Sequence, residues 1–119
     1  LKIIYNNFSA LFCGDISSRA MERINRQYSD LLKSDIVKMP HHGGDVGDRI
    51  VVKRFFDLIS PHVSVTSAGG RYRFSKIAKN MQELIDSLGS INYGTKEQGA
   101  ISIISDGAHF KAMTFYQKN

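Results

Sequence analysis

The chain has 119 residues, 42% of them hydrophobic and 23% charged, with a formal net charge of +5. At this size roughly two-thirds of the unfolded surface can be buried, enough for one core, which excludes long disorder, collagen-like repeats and a multi-domain reading. No apolar run approaches the ~20 residues that cross a bilayer, and no basic N-terminal segment leads into an apolar stretch with a small-residue cleavage site, so no membrane contact is expected from this segment.

Lys2 to Tyr5, Asn6-Asn7 and Ser9 to Cys13 read as a hairpin, because Asn tolerates the left-handed conformation a tight turn needs. From Ser17 to Lys33, Ala20, Ile24, Tyr28, Leu31 and Leu32 recur at helical spacing, with Ser17 or Asp15 as cap. Ile36 to Met39 is a short apolar run stopped by Pro40, the pattern of a strand covered on both faces. His41 to Asp48, with three glycines and two aspartates, is a loop. Ile50 to Ile59 places Val51, Val52, Phe55, Phe56 and Ile59 on one helical face, capped by Asp48 and stopped by Ser60-Pro61. His62 to Ala68 is β-branched and alternating, Gly69-Gly70 breaks it, and Ser75 to Leu88 returns to helical spacing before Gly89. A short strand near Ile91 to Tyr93 fits next, and Ala100 to Ile104 with Ala108 to Phe115 form a closing hairpin around Asp106-Gly107. The order ββαβαβαββ, with helices alternating with strands, predicts an α/β sheet. Residues 1–119 form one domain, and Leu1 to Tyr5 reads as a strand already in progress, so the chain is expected to be part of a longer protein.

The charge is uneven. Residues 58–82 hold Arg71, Arg73, Lys76 and Lys79 and no acid, so four of the five net charges lie in one segment. Beside Tyr72 and Phe74, this stretch suits phosphate or single-stranded nucleic acid, because guanidinium forks grip phosphate oxygens and aromatic faces stack on bases. A solvated helix entrance explains the same charges. The lone Cys13 excludes an internal disulfide framework and points to a reducing, cytoplasmic compartment.

In open α/β sheets ligands gather at the carboxyl ends of strands. Two segments there carry metal-ligand chemistry: Cys13-Gly14-Asp15 after one strand, and Pro40-His41-His42-Gly43-Gly44 after another. A carboxylate can bridge two divalent ions and a neutral imidazole can bind one, the donor types of a hydrolytic zinc site. Taken singly, Asp15 reads as a helix cap and the His pair as an exposed loop; together they favour a metal site. His62 and His109 read as surface residues, Cys13 as a buried small hydrophobe. Phosphate-loop, nucleophile-elbow, helical zinc-protease and calcium-loop patterns are all lacking.

These residues carry a resemblance. Leu11-Phe12-Cys13-Gly14-Asp15, then Lys38-Met39-Pro40-His41-His42-Gly43-Gly44, Ser60-Pro61 to Ala68 and Gly99 to Gly107 look like the C-terminal half of a metallo-β-lactamase-fold hydrolase. The branch it most resembles is the metal-hydrolase domain of DNA-uptake competence proteins and related phosphodiesterases, with a "Lys-x-x-His-His-Gly-Ser"-like motif and a "Gly-x-Ile-x-Ile-x-x-Asp-Gly"-like hairpin. The resemblance implies half of an αββα sandwich and two divalent metal ions, Zn2+ with Mn2+ or Fe as alternatives. Asp15 would bridge the metals and His42 would be a ligand, with His41 acting as general acid or hydrogen-bond donor to the substrate. Either histidine could be the ligand; His42 is preferred. Arg71 and Arg73 would then hold a phosphodiester or nucleic acid substrate.

The chain departs from that branch at three places. Gly44 stands where the branch has serine. Gly70-Arg71-Tyr72-Arg73-Phe74-Ser75 replaces an "Asn-x-Tyr-Gly-His-Pro" segment and lacks its histidine. The "His-x-His-x-Asp-His" motif that supplies most ligands belongs to the N-terminal half and is not in these residues. The expectation is therefore a hydrolase that needs its other half, with a catalytically degenerate nucleic-acid-binding module as the alternative. A sheet with helices on one side only would also leave a bare face, to be covered by the missing half or by a dimer partner.

Overall fold

The computed structural model describes residues 1–69 and 76–116. A five-stranded mixed sheet runs in the order β1 (Lys2–Tyr5), β2 (Phe8–Phe12), β3 (Ile36–Lys38), β4 (Val63–Thr66), β5 (Ile91–Gly94). The first pair is an antiparallel hairpin, with Tyr5 opposite Phe8 and Asn6 at φ 52°, and the other three pairings are parallel. Each parallel step crosses over through a helix: α1 (Ser18–Gln27), α2 (Arg49–Ile59) and α3 (Lys79–Ser87). Because spatial order follows chain order in one direction, crossovers of one hand stack every helix on the same face. Met21 of α1, Val52, Phe55, Phe56 and Ile59 of α2, and Met81 and Ile85 of α3 accordingly share one buried cluster with Val37 and Met39. At about 25 cal/mol per Å² of apolar area, burial of this cluster is the main stabilising term.

The opposite face is partly covered. Strands β6 (Ile101–Ser105) and β7 (Phe110–Thr114) form a separate two-stranded sheet, and Ile103 and Phe110 pack with Phe8 on Ala10, Ile36 and Val63. The Phe8 and Phe110 rings lie 5.6 Å apart. An apolar groove remains beside this contact, lined by Ile3, Phe12, Ile36, Lys38, Val65 and Ile101 among others. The expected bare face is thus covered at one end and open at the other.

Several boundaries differ from the sequence expectation. Helix α1 stops at Gln27 rather than Lys33: Tyr28 leaves helical geometry at φ −135°, a 3-10 turn follows at Ser29–Leu31, and Tyr28 and Leu31 are exposed while Leu32 is buried. Ser17 is its N-cap residue but makes no side-chain cap bond, and Asp15 is not the cap. Helix α3 spans Lys79–Ser87 within the predicted 75–88, and a one-turn helix α4 (Thr95–Gln98) follows β5. The predicted α2 cap holds: Asp48 accepts from the Ile50 and Val51 amides at 2.9 and 3.0 Å.

Candidate functional site at the carboxyl rim

Parallel pairing brings the ends of β2, β3 and β4 to one edge, and the two chemistry-bearing segments meet there. Gly14, at φ 62°, turns the chain out of β2 and leaves Asp15 exposed. The His41 amide donates to the Gly14 carbonyl at 2.9 Å, so the β3 end is tied to the β2 end one residue from Asp15.

After Pro40 the chain does something L-residues rarely do. His41 (φ 48°, ψ 39°) and His42 (φ 56°, ψ 24°) are both left-handed, and Gly43 follows at φ 81°. Left-handed geometry costs a non-glycine residue about 1–2 kcal/mol, and runs of it are unusual. The turn closes through the Gly44 amide on the His41 carbonyl at 2.8 Å, and the Gly43 carbonyl accepts from Ala78 at 2.9 Å at the start of α3. Space is tight at Gly43 and lacking at Gly44. A Cβ on Gly43 would meet Thr66 Cγ2 and the Ile77 side chain at 3.1 Å, and one on Gly44 would lie 2.8 Å from His41 Cδ2 and 2.9 Å from its carbonyl oxygen. Where the resembled branch carries serine, this turn has no room for a side chain without moving His41.

His42 is half-buried, and its Nδ1 lies 2.8 Å from the Ser67 carbonyl at the end of β4. With the proton on Nδ1 the ring donates to that carbonyl and carries its lone pair on Nε2. This is the outer contact that orients a metal-binding imidazole. His41 is exposed at the same rim.

Beneath the rim sit two groups shifted by burial. Burial pushes the Cys13 thiol up to about 12, against the lowering influence of the chain's amino terminus and Lys38, so it stays neutral and acts as a small hydrophobe, as the sequence suggested. Burial holds Lys38 below the ordinary lysine value, while Cys13 and Asp15 pull the other way; its amine donates to the Met39 carbonyl at 3.3 Å. Sequence reading assigned Lys38 no role. The available signal was a lone charge inside the apolar run Ile36 to Met39.

Asp15 and His42 are donor types that zinc and similar ions accept. Among the described residues no group of three His, Cys, Asp or Glu side chains is placed to hold an ion. Asp15 and His42 by themselves do not make up such a group. His62 and His109 are exposed and lie toward the other end of the sheet, beside Asp35 and Asp106 respectively, outside this rim. Arg71 and Arg73 fall outside the described residues. No described helix is long and apolar enough to cross a membrane. Comparison with protein-family models, with curated proteins and with solved structures gives no match for this chain.

Proposed function

We propose that the chain is the C-terminal half of a metallo-β-lactamase-type, metal-dependent hydrolase acting on a phosphodiester or nucleic-acid-type substrate. The observation that carries this reading is the strained His41-His42 turn, held against Gly14 beside Asp15 with His42 anchored on Ser67. Strain of this kind, about 1–3 kcal/mol per residue, persists where the surroundings over-determine it, and it clusters at functional sites. The two-stranded β6–β7 sheet stacked on part of the five-stranded sheet supports a sandwich whose second layer is completed by further strands.

In this reading the Asp15 carboxylate and the His42 imidazole would help to hold divalent metal ions, with further ligands from the other half of the domain. Bound there, the metal would supply an activated water and charge stabilisation at the scissile phosphoryl group. His41, exposed at the rim, donates a hydrogen bond to a phosphoryl oxygen or a proton to the leaving alkoxide. Lys38 adds positive charge under the rim, and Arg71 and Arg73 carry the remaining phosphate contacts.

The test is turnover of a simple phosphodiester by the protein with its upstream segment intact. Asp15→Asn and His42→Gln are expected to abolish it, His41→Ala to lower it by about 10²–10⁴-fold, and chelation to remove it reversibly. Salt-sensitive binding of single-stranded nucleic acid that survives chelation, with no turnover, would instead establish the degenerate binding module.

A further inference from the structure

The apolar groove on the sheet face away from the helices, about 350 Å³ in volume, has a floor and a wall that are both incomplete. Ile3, Phe12, Ile36 and Val65 line the floor, and Lys38 stands among them as its one charged group. Lys38 is half-buried. Its amine donates to the neutral Met39 carbonyl at 3.3 Å and makes no salt bridge among the described residues. A charge drawn out of water is ordinarily paired, so this ammonium calls for a carboxylate from whatever covers the groove. The wall is β6, which borders the groove through Ile101 and Ile103. Among the described residues β6 pairs with β7 alone, so its other edge presents backbone donors and acceptors that no strand takes up. Such an edge is a template for one more strand. A strand added about 4.8 Å from β6 would lie over the groove and roof it.

We infer that the groove seats an extended strand that pairs with β6 and carries an aspartate or glutamate on its inner face, opposite Lys38. Because side chains alternate along a strand, the residues two positions either side of that acid are apolar and rest on the floor. A second copy of this chain is the poorer occupant, since none of the strands β1 to β7 contains an acidic residue. A small amphipathic carboxylate would meet Lys38 and the floor but leave the β6 edge unpaired. The strand therefore comes from the half of the domain that the hydrolase reading places upstream, and to that extent the inference rests on that reading. The pairing with Lys38 needs no metal.

The experiment treats the protein with its upstream segment present, in a chelator, with a water-soluble carbodiimide, which joins an amine to a carboxylate in direct contact. Mass spectrometry then locates the new amide bond. The expected product links Lys38 to an aspartate or glutamate upstream of Leu1. Hydrogen exchange should show the β6 amides that face away from β7 more protected in that protein than in the 119-residue chain. Lys38→Met gives a sign reversal. In the 119-residue chain it removes an unpaired charge and should leave the thermal midpoint unchanged or higher; in the longer protein it strands the acid and should lower the midpoint by several degrees. Lys38→Arg keeps the charge and should restore part of that loss. Three results would overturn the inference: Lys38 coupled to a second copy or to nothing, β6 amides equally protected in both forms, or Lys38→Met moving the midpoint the same way in both. Because a chelator is present throughout, a protein that passes these tests yet binds no metal would count against the hydrolase reading alone.

Discussion

Replacing His41 with glycine should make the protein more stable. His41 is exposed, so its side chain contributes little burial, yet its backbone sits at φ 48°, ψ 39°. Left-handed geometry costs an L-residue about 1–2 kcal/mol, and glycine removes that cost while adding about 0.5–1 kcal/mol of unfolded-state entropy. The net gain expected for His41→Gly is about 0.5–1 kcal/mol. For a chain of this length each kcal/mol moves the thermal midpoint by roughly 3–5 °C, so the midpoint should rise by about 2–5 °C. His42→Gly relieves similar strain but loses the 2.8 Å contact to Ser67, worth about 0.5–1.5 kcal/mol, and should come out near zero or destabilised. His41→Ala is the control: it deletes the same side chain and keeps the left-handed cost, so it should stay within about 0.5 kcal/mol of the native chain. Thermal unfolding followed by circular dichroism measures all three. If His41→Gly proves no more stable than His41→Ala, the strain argument is wrong, and with it the main support for function at this turn.

Other outcomes follow from the same structure. Gly44→Ser, with its Cβ 2.8–2.9 Å from His41, should destabilise by about 1–3 kcal/mol and displace the His41 ring, seen as a shift of its imidazole resonances. Folding keeps the Cys13 thiol neutral up to about 12 against an ordinary 9.0, so the unfolded chain releases this proton first as pH rises. Stability from this group is complete below pH 9 and is lost toward pH 12, roughly 4 kcal/mol in full. Lys38 has the opposite sign, gaining stability as pH climbs from its depressed value toward 10.5. The difference between native and Cys13→Ala chains in alkaline denaturation therefore isolates the thiol, and parallel curves would contradict its burial. Asp48→Ala removes both α2 cap bonds and should cost about 1 kcal/mol by urea denaturation. Asp106 accepts from the His109 and Ala108 amides, which holds its carboxyl below the usual range; hairpin protection in hydrogen exchange should persist above that range and fall as pH drops through its lowered value.

Local chemistry in this chain was legible in the sequence where a single residue decides it. Asp48 caps α2 because a carboxylate beside free amides has one good use, and Asn6 turns the first hairpin because it tolerates positive φ. The alternation of strands and helices was legible, and so was the placing of the Gly14-Asp15 and His41-His42 segments at strand ends; the spatial order of the strands was not part of that reading. The end of α1 was not legible: apolar spacing continues through Tyr28 and Leu31, but the chain must turn so that Ser34 and Asp35 can pair with Ile59 and Ser9, and tertiary pairing overrides periodicity. The left-handed run at His41 and His42 has no sequence signal beyond the two glycines after it, because the closure onto Gly14 and Ala78 that imposes it is non-local. The stacking of β6 and β7 on the second sheet face was equally hidden, since Ile101 and Ile103 alternate with Ser102 in the same way whether a hairpin joins a sheet edge or lies across it.

The central claim is that Asp15 and His42 share a metal site completed from outside this chain. Calorimetric titration of zinc or manganese into the metal-stripped protein with its upstream segment present tests it most directly. The account predicts two ions bound per chain, tight binding lost in both Asp15→Asn and His42→Gln, and an unchanged thermal midpoint for the apo forms. Two ions bound equally well by both variants, or none by the native protein, would contradict it.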